Sequence, residues 1–139
     1  MIASQIIEMN GRKLISLAMV LLLLSGCAGI ATMSADQREQ FTKKVYSDSY
    51  ENIFNATLRA LKNDGYPIIF IDKQNGIINT GSKSINIFLM QQKINVSISK
   101  LSEEKTSVQL FLSVDNKENQ DFSDYKNIFI LIEKELTKG

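Results

Sequence analysis

The side chains with which this chain could do covalent or proton chemistry are few: Cys27 is the only thiol among 139 residues, and there is no histidine. Without imidazole there is no Ser-His-Asp or Cys-His nucleophile pair and no ordinary zinc site. One cysteine can form neither an internal disulfide nor a CxxC redox pair. Carboxylates remain as the candidates for acid–base work. Glu103-Glu104 fall in a stretch that reads as a turn, and Asp121 with Asp124 fall at a helix start, where carboxylates interact favourably with exposed N–H groups. Asp115, Glu118, Asp121 and Asp124 lack the spacing of a calcium loop and its closing glutamate. Gly76 and Gly81 have the two-glycine spacing of a phosphate loop, yet Ser82 stands where its lysine belongs. These residues therefore predict turns and caps, and no catalytic, metal-binding or cofactor-binding residue is expected.

Cys27 has a more informative setting. Arg12-Lys13 precede an apolar run from Leu14 to Leu24, which ends in the small residues Ser25-Gly26 before Cys27. A basic head, an apolar centre and small residues at a cleavage point are the layout of a secretory signal peptide. The run is shorter than the roughly 20 apolar residues that a spanning helix needs. Leu24-Ser25-Gly26-Cys27 resembles the bacterial lipobox. That resemblance implies a diacylglycerol thioether on Cys27, cleavage between Gly26 and Cys27, and acylation of the new amino terminus. Ala28, in place of the aspartate that favours inner-membrane retention, resembles the pattern of outer-membrane lipoproteins. The expected location is thus the bacterial outer membrane, lipid-anchored, with the mature domain facing the periplasm. Residues 1–26 hold two of the 16 basic and one of the 15 acidic side chains, so the expected mature chain is charge-balanced. It lacks the basic excess of a nucleic-acid binder, and no nucleic-acid partner is expected.

The remaining elements follow from periodicity. Residues 27–46 show no sustained period and are expected to be a lipidated N-terminus and flexible tether, leaving 47–139 as the folded domain. Asp48 and Glu51 have capping-box spacing. Tyr50, Ile53, Phe54, Leu58 and Leu61 then recur at helical offsets until Asp64-Gly65-Tyr66-Pro67 closes the helix. Ile68–Asp72 and Ile77–Thr80 read as strands around an Asn75-Gly76 hairpin. Ile85, Ile87 and Leu89 share one parity and Ile94, Val96 and Ile98 the other, which predicts a turn at Gln91–Lys93 or a bulge in one long strand. Ser102–Lys105 reads as a turn and Val108–Val114 as a strand. After the polar connector Asp115–Gln120, a second helix begins near Ser123 or Asp124, with Tyr125, Ile128, Phe129, Ile132 and Leu136 on one face. The expected fold class is α+β: a two-layer domain of helix, antiparallel meander of four to five strands, and helix, with both helices on one sheet face.

Leu61-Lys62-Asn63-Asp64-Gly65-Tyr66, Asp72-Lys73 and Gly76-Ile77-Ile78 resemble small envelope lipoproteins with a helix-grip-like domain of the BamC kind, over about residues 47 to 137. The resemblance implies a binding or scaffolding role and carries no functional residue across. If the helices cover Ile94, Val96, Ile98, Val108, Leu110 and Leu112, the open face shows Asn95, Ser97, Ser99, Ser107, Gln109 and Ser113, interrupted by Phe111. Phe70, Phe88 and Met90 are candidates to join Phe111 in an interaction patch. The first expectation is therefore a non-enzymatic interaction or envelope-assembly module, with the membrane and an envelope protein as partners. The alternative is a binding module for a small apolar or glycan ligand, in a pocket lined by Tyr50, Phe54 and Phe129. A carboxylate-based hydrolase would need two acids facing each other across a cleft at about 5 to 9.5 Å.

Overall fold

Alternation along two long strands builds the core. Ile94, Val96 and Ile98 lie in register with Leu112, Leu110 and Val108, and all six are at most 2% exposed. In the computed structural model residues 33–138 are described, and they run α1 (Ala35–Thr42), β1 (Lys43–Tyr46), α2 (Tyr50–Asn63), β2 (Ile68–Asp72), β3 (Ile77–Thr80), β4 (Lys83–Ser84), β5 (Gln91–Ser102), β6 (Lys105–Val114), β7 (Lys117–Glu118) and α3 (Phe122–Lys138). Cys27 and the expected signal segment lie outside the described residues.

The domain is α+β, with α2 and α3 together over one face of an antiparallel sheet. α2 contributes Ile53, Phe54, Ala56, Ala60 and Leu61, and α3 contributes Tyr125, Ile128, Phe129 and Ile132, to a single core with the six strand residues. The sheet order is β1-β6-β5-β3-β2, with β4 also paired to β5 and β7 to β6. There are seven strands where four to five were expected, and β4 and β7 are two-residue pieces. β3 and β4 both pair with β5, and the break between them is bridged by Thr80, whose Oγ1 accepts from the buried Ile94 N–H at 2.9 Å. At the other hairpins Gly76 takes φ +72°, and Asp115 and Asn116 both take positive φ between β6 and β7, as a tight hairpin turn requires.

Three expectations change. The tether assigned to 27–46 is folded from Ala35 onward: α1 and β1 belong to the same compact unit as the rest, and β1 closes one sheet edge by pairing Lys43–Tyr46 with Gln109–Thr106. No residue of α1 is buried, so it has no apolar period to read; it is held by a Ser34–Gln37 capping box and by Phe41 stacking on Phe122 of α3 at 4.4 Å. The N-cap of α2 is Ser49, which accepts from Asn52 N–H, while Asp48 accepts from Ser49 N–H and the Asn52 amide. The parity change before Ile94 arises because Ile85–Met90 is a hairpin loop and β5 starts at Gln91, so neither a turn at Gln91–Lys93 nor a bulge is needed.

Candidate functional site

The open sheet face is ordered by register. Phe70 on β2 pairs with Asn79 on β3, Asn79 with Asn95 on β5, and Asn95 with Phe111 on β6. Two half-exposed rings thus end one cross-strand row with two asparagines between them, about 14 Å apart at the usual strand spacing. Ser97 and Gln109 form the next row. Ser107, expected on this face, is buried, because β1 lies alongside and sets Val45 opposite it. Gln109 is tied back to α1, its amide donating to Thr42 Oγ1 at 2.7 Å.

Beyond this row, β2 is an edge strand with no neighbour on its outer side among the described residues. Ile68, opposite the buried Thr80, and Ile71, opposite the buried Ile78, have the parity of the core; Ile68 packs against it, Ile71 is 45% exposed, and Ile69, the extra residue at the register shift between Ile68 and Phe70, is 69% exposed. Ile69, Phe70 and Ile71 form a continuous exposed apolar run.

Phe88 and Met90 sit elsewhere, in the loop joining β4 to β5. The last strand pair is Ser84 with Gln91, and Ile85 N–H then donates to Met90 C=O at 3.0 Å. The tip is organised by Asn86: its carbonyl oxygen accepts from Leu89 N–H and its side-chain oxygen from Phe88 N–H, each at 3.0 Å. Leu89 adopts φ +56°, a conformation that glycine or asparagine takes more easily. Ile87, Phe88 and Leu89 are 89%, 80% and 69% exposed. The structure therefore separates the four patch candidates into Phe70 and Phe111 on the open face and Phe88 and Met90 at a protruding tip.

Of the candidate carboxylates, all but Glu104 are engaged in structural contacts. Glu103 pairs with Lys100, and Asp121 accepts from Ser123 N–H and Oγ at the start of α3. Asp64 pairs with Lys83, and Asp124 accepts from the Asn119 amide. Glu135 is buried between α2 and α3, and donation from the Asn63 amide and then Lys138, with Arg59 nearby, holds its carboxyl below the usual range. That direction suits an ion-pair anchor and opposes a general acid. Among the described residues no three His, Cys, Asp or Glu side chains stand together as metal ligands.

A cavity of about 820 Å³ opens at the end of the domain beneath the hairpin, between Tyr66, Gln92, Asn119 and the first half of α3. Tyr66 donates to Gln92 Oε1 at 2.6 Å, and burial, followed by the charges of Asp64 and Asp124, pushes its hydroxyl up to about 12. Of the expected pocket residues, Phe54 and Phe129 are packed in the core, while Tyr50 is half-buried at its margin, its ring 5.9 Å from that of Phe54 and its hydroxyl donating to Lys73 C=O. They do not line a common cavity. The sequence pattern missed the β2 edge because the register shift at Ile69 and the pairing of β2 on one side only are set by long-range contacts that periodicity does not carry.

No family model and no curated protein matches this sequence. Among solved structures the chain is similar to the adenylate sensor from AMP-activated protein kinase, crystallised in complex with 5-aminoimidazole-4-carboxamide 1-beta-D-ribofuranotide. The identity is 12% and the TM-score 0.46, over 70% of this chain and 94% of that one. A likeness of that size carries no inference about ligand or partner.

Proposed function

We propose that the chain is a membrane-anchored periplasmic lipoprotein of the bacterial outer membrane, acting as a non-enzymatic interaction or envelope-assembly module. In this reading Cys27 carries the acyl chains, and more than one chain makes the attachment stable. No helix among the described residues is long and apolar enough to cross a membrane. In this reading the attachment rests on the lipobox pattern Leu24–Cys27.

The observation that carries the interaction role is the exposed run Ile69-Phe70-Ile71 on the unpaired edge of β2. Soluble domains usually blunt such an edge with lysine, proline or a bulge. β2 contains neither lysine nor proline; its register shift falls at Ile69, within the apolar run, and leaves Phe70 to Asp72 as a regular edge for a partner strand. A partner strand added there gains main-chain hydrogen bonds, with alternate apolar side chains supplying selectivity.

Photo-crosslinking in cells tests this. A crosslinker at Phe70 should give a discrete adduct with an envelope protein, and the adduct should disappear when Ile69→Lys and Ile71→Lys are added. The same adduct from a crosslinker at Glu104, in the turn between β5 and β6, would overturn the reading.

A further inference from the structure

We infer that the β4–β5 hairpin tip is a second membrane contact: Ile87, Phe88 and Leu89 insert into the leaflet that carries the acylated Cys27, and so fix the orientation of the domain. This rests on the proposed lipid anchor. The tip, Ile85 to Met90, holds no charged residue, and its three outermost side chains are the most exposed aliphatic and aromatic groups at this end of the domain. Beyond the Ser84–Gln91 pair, a six-residue loop projects at most about 10 Å. That matches the roughly 5–10 Å by which interfacial apolar groups enter the headgroup–acyl boundary.

The choice of a lipid surface over other occupants comes from where the chain enters the domain. α1 ends at Thr42, beside Gln109, while Arg38, one turn earlier, reaches Glu118 at 3.6 Å. Glu118 is paired with Ser113. Going backward along α1 is therefore going forward along β6, and the two travel equally: about 12 Å for eight helical residues and about 13 Å from Gln109 to Ser113. Ser34 is thus at the end of the sheet where Val114 meets Gln92 and the hairpin begins. From Cys27 to Ser34 is seven residues, a reach of at most about 25 Å. Ser34, where the folded unit starts, and the apolar tip share one pole, so a seven-residue link to a lipid-held Cys27 keeps the tip within reach of the bilayer. β2 then stands roughly upright from the surface, with its edge open to a partner. At the hairpin base Lys83 is paired with Asp64, and Asp115, Asp121 and Asp124 outnumber Lys93 and Lys117, so the contact is apolar and does not draw on anionic lipid.

The test uses the full lipidated protein, reconstituted in phosphatidylethanolamine vesicles with and without nitroxide-bearing acyl chains. In the Ile87→Cys variant the introduced thiol is the only free one once Cys27 is a thioether, and it takes an environment-sensitive fluorophore. A Glu104→Cys variant, at the opposite pole, is the control. Labelled position 87 should be quenched by the acyl-chain nitroxides at least about threefold more than position 104, with no dependence on salt. Protein that does not float with the vesicles, or whose Cys27 also takes the label, would overturn the anchor and this proposal with it. Protein that floats while position 87 is no more quenched than position 104 would overturn insertion alone. A spectral change that requires a membrane protein in the vesicles instead of lipid would also overturn it, in favour of a protein partner.

Discussion

Gly76 is the residue at which a single methyl group should do the most damage. Its φ is +72°, and a Cβ there would lie 1.9 Å from the Ile98 carbonyl oxygen, 2.9 Å from the Ile98 carbonyl carbon and 3.0 Å from the Tyr50 hydroxyl. The obstacle is main chain of the central strand β5, which cannot rotate away. Gly76→Ala then carries about 1–2 kcal/mol of left-handed strain. It also loses the 2.7 Å hydrogen bond from Ile98 N–H to Gly76 C=O, worth about 1 kcal/mol, and adds an overpacking cost of about 1–3 kcal/mol. Gly65 separates these effects: its φ is +87°, but the nearest atom to an added Cβ is the mobile Cε of Lys83 at 3.8 Å, so Gly65→Ala carries the strain alone. Thermal unfolding of the detergent-solubilised chain, followed by tyrosine fluorescence, should show Gly76→Ala melting roughly 15 °C or more below the parent and Gly65→Ala about 5 °C below it. Equal shifts for the two variants would refute the close approach of the hairpin to β5.

Acid should weaken the contact between α2 and α3. The Glu135 carboxyl is held below its ordinary value, so its contribution is complete above that value and is lost as pH falls through the lower folded value. Thermal midpoints measured from pH 7 downward should fall below about pH 4.5, and Glu135→Gln should be less stable at pH 7 with a flatter profile; an unchanged profile would contradict it. At Tyr66 and Gln92, Tyr66→Phe should cost about 1–2 kcal/mol by leaving the amide oxygen unpaired. Because Gln92 Nε2 already lacks a side-chain or main-chain partner among the described residues, Gln92→Leu combined with Tyr66→Phe should recover most of that loss in denaturant unfolding.

The parts of the fold that could be read from the chain were those whose signal is local. α2 shows its apolar face at helical offsets and ends in Gly65 and Pro67, and β6 alternates cleanly through Val108, Leu110 and Leu112. α1 and β1 had no such signal, because α1 buries nothing and β1 gains its place through a long-range pairing with β6. Ser34 and Gln37 did carry a capping-box pattern that marks the start of α1. The tip Ile85–Met90 misleads for the opposite reason: alternating apolar residues imitate a half-buried strand, although Ile87 and Leu89 are solvent-exposed. The expected patch depended on register across four strands, and register alone decides that Asn79 and Asn95 stand between Phe70 and Phe111. Ile69 and Ile71 became conspicuous only once the register shift in β2 and its place at the end of the sheet were known.

The central claim is that Cys27 makes this domain a lipid-anchored protein. Mass spectrometry of the N-terminal peptide from the membrane fraction tests it most directly. The account predicts a chain that begins at Cys27, with a diacylglycerol thioether on its sulfur and an acyl group on its amine. A membrane-extracted chain whose N-terminus lies upstream of Cys27, or whose Cys27 is a free thiol, would contradict it.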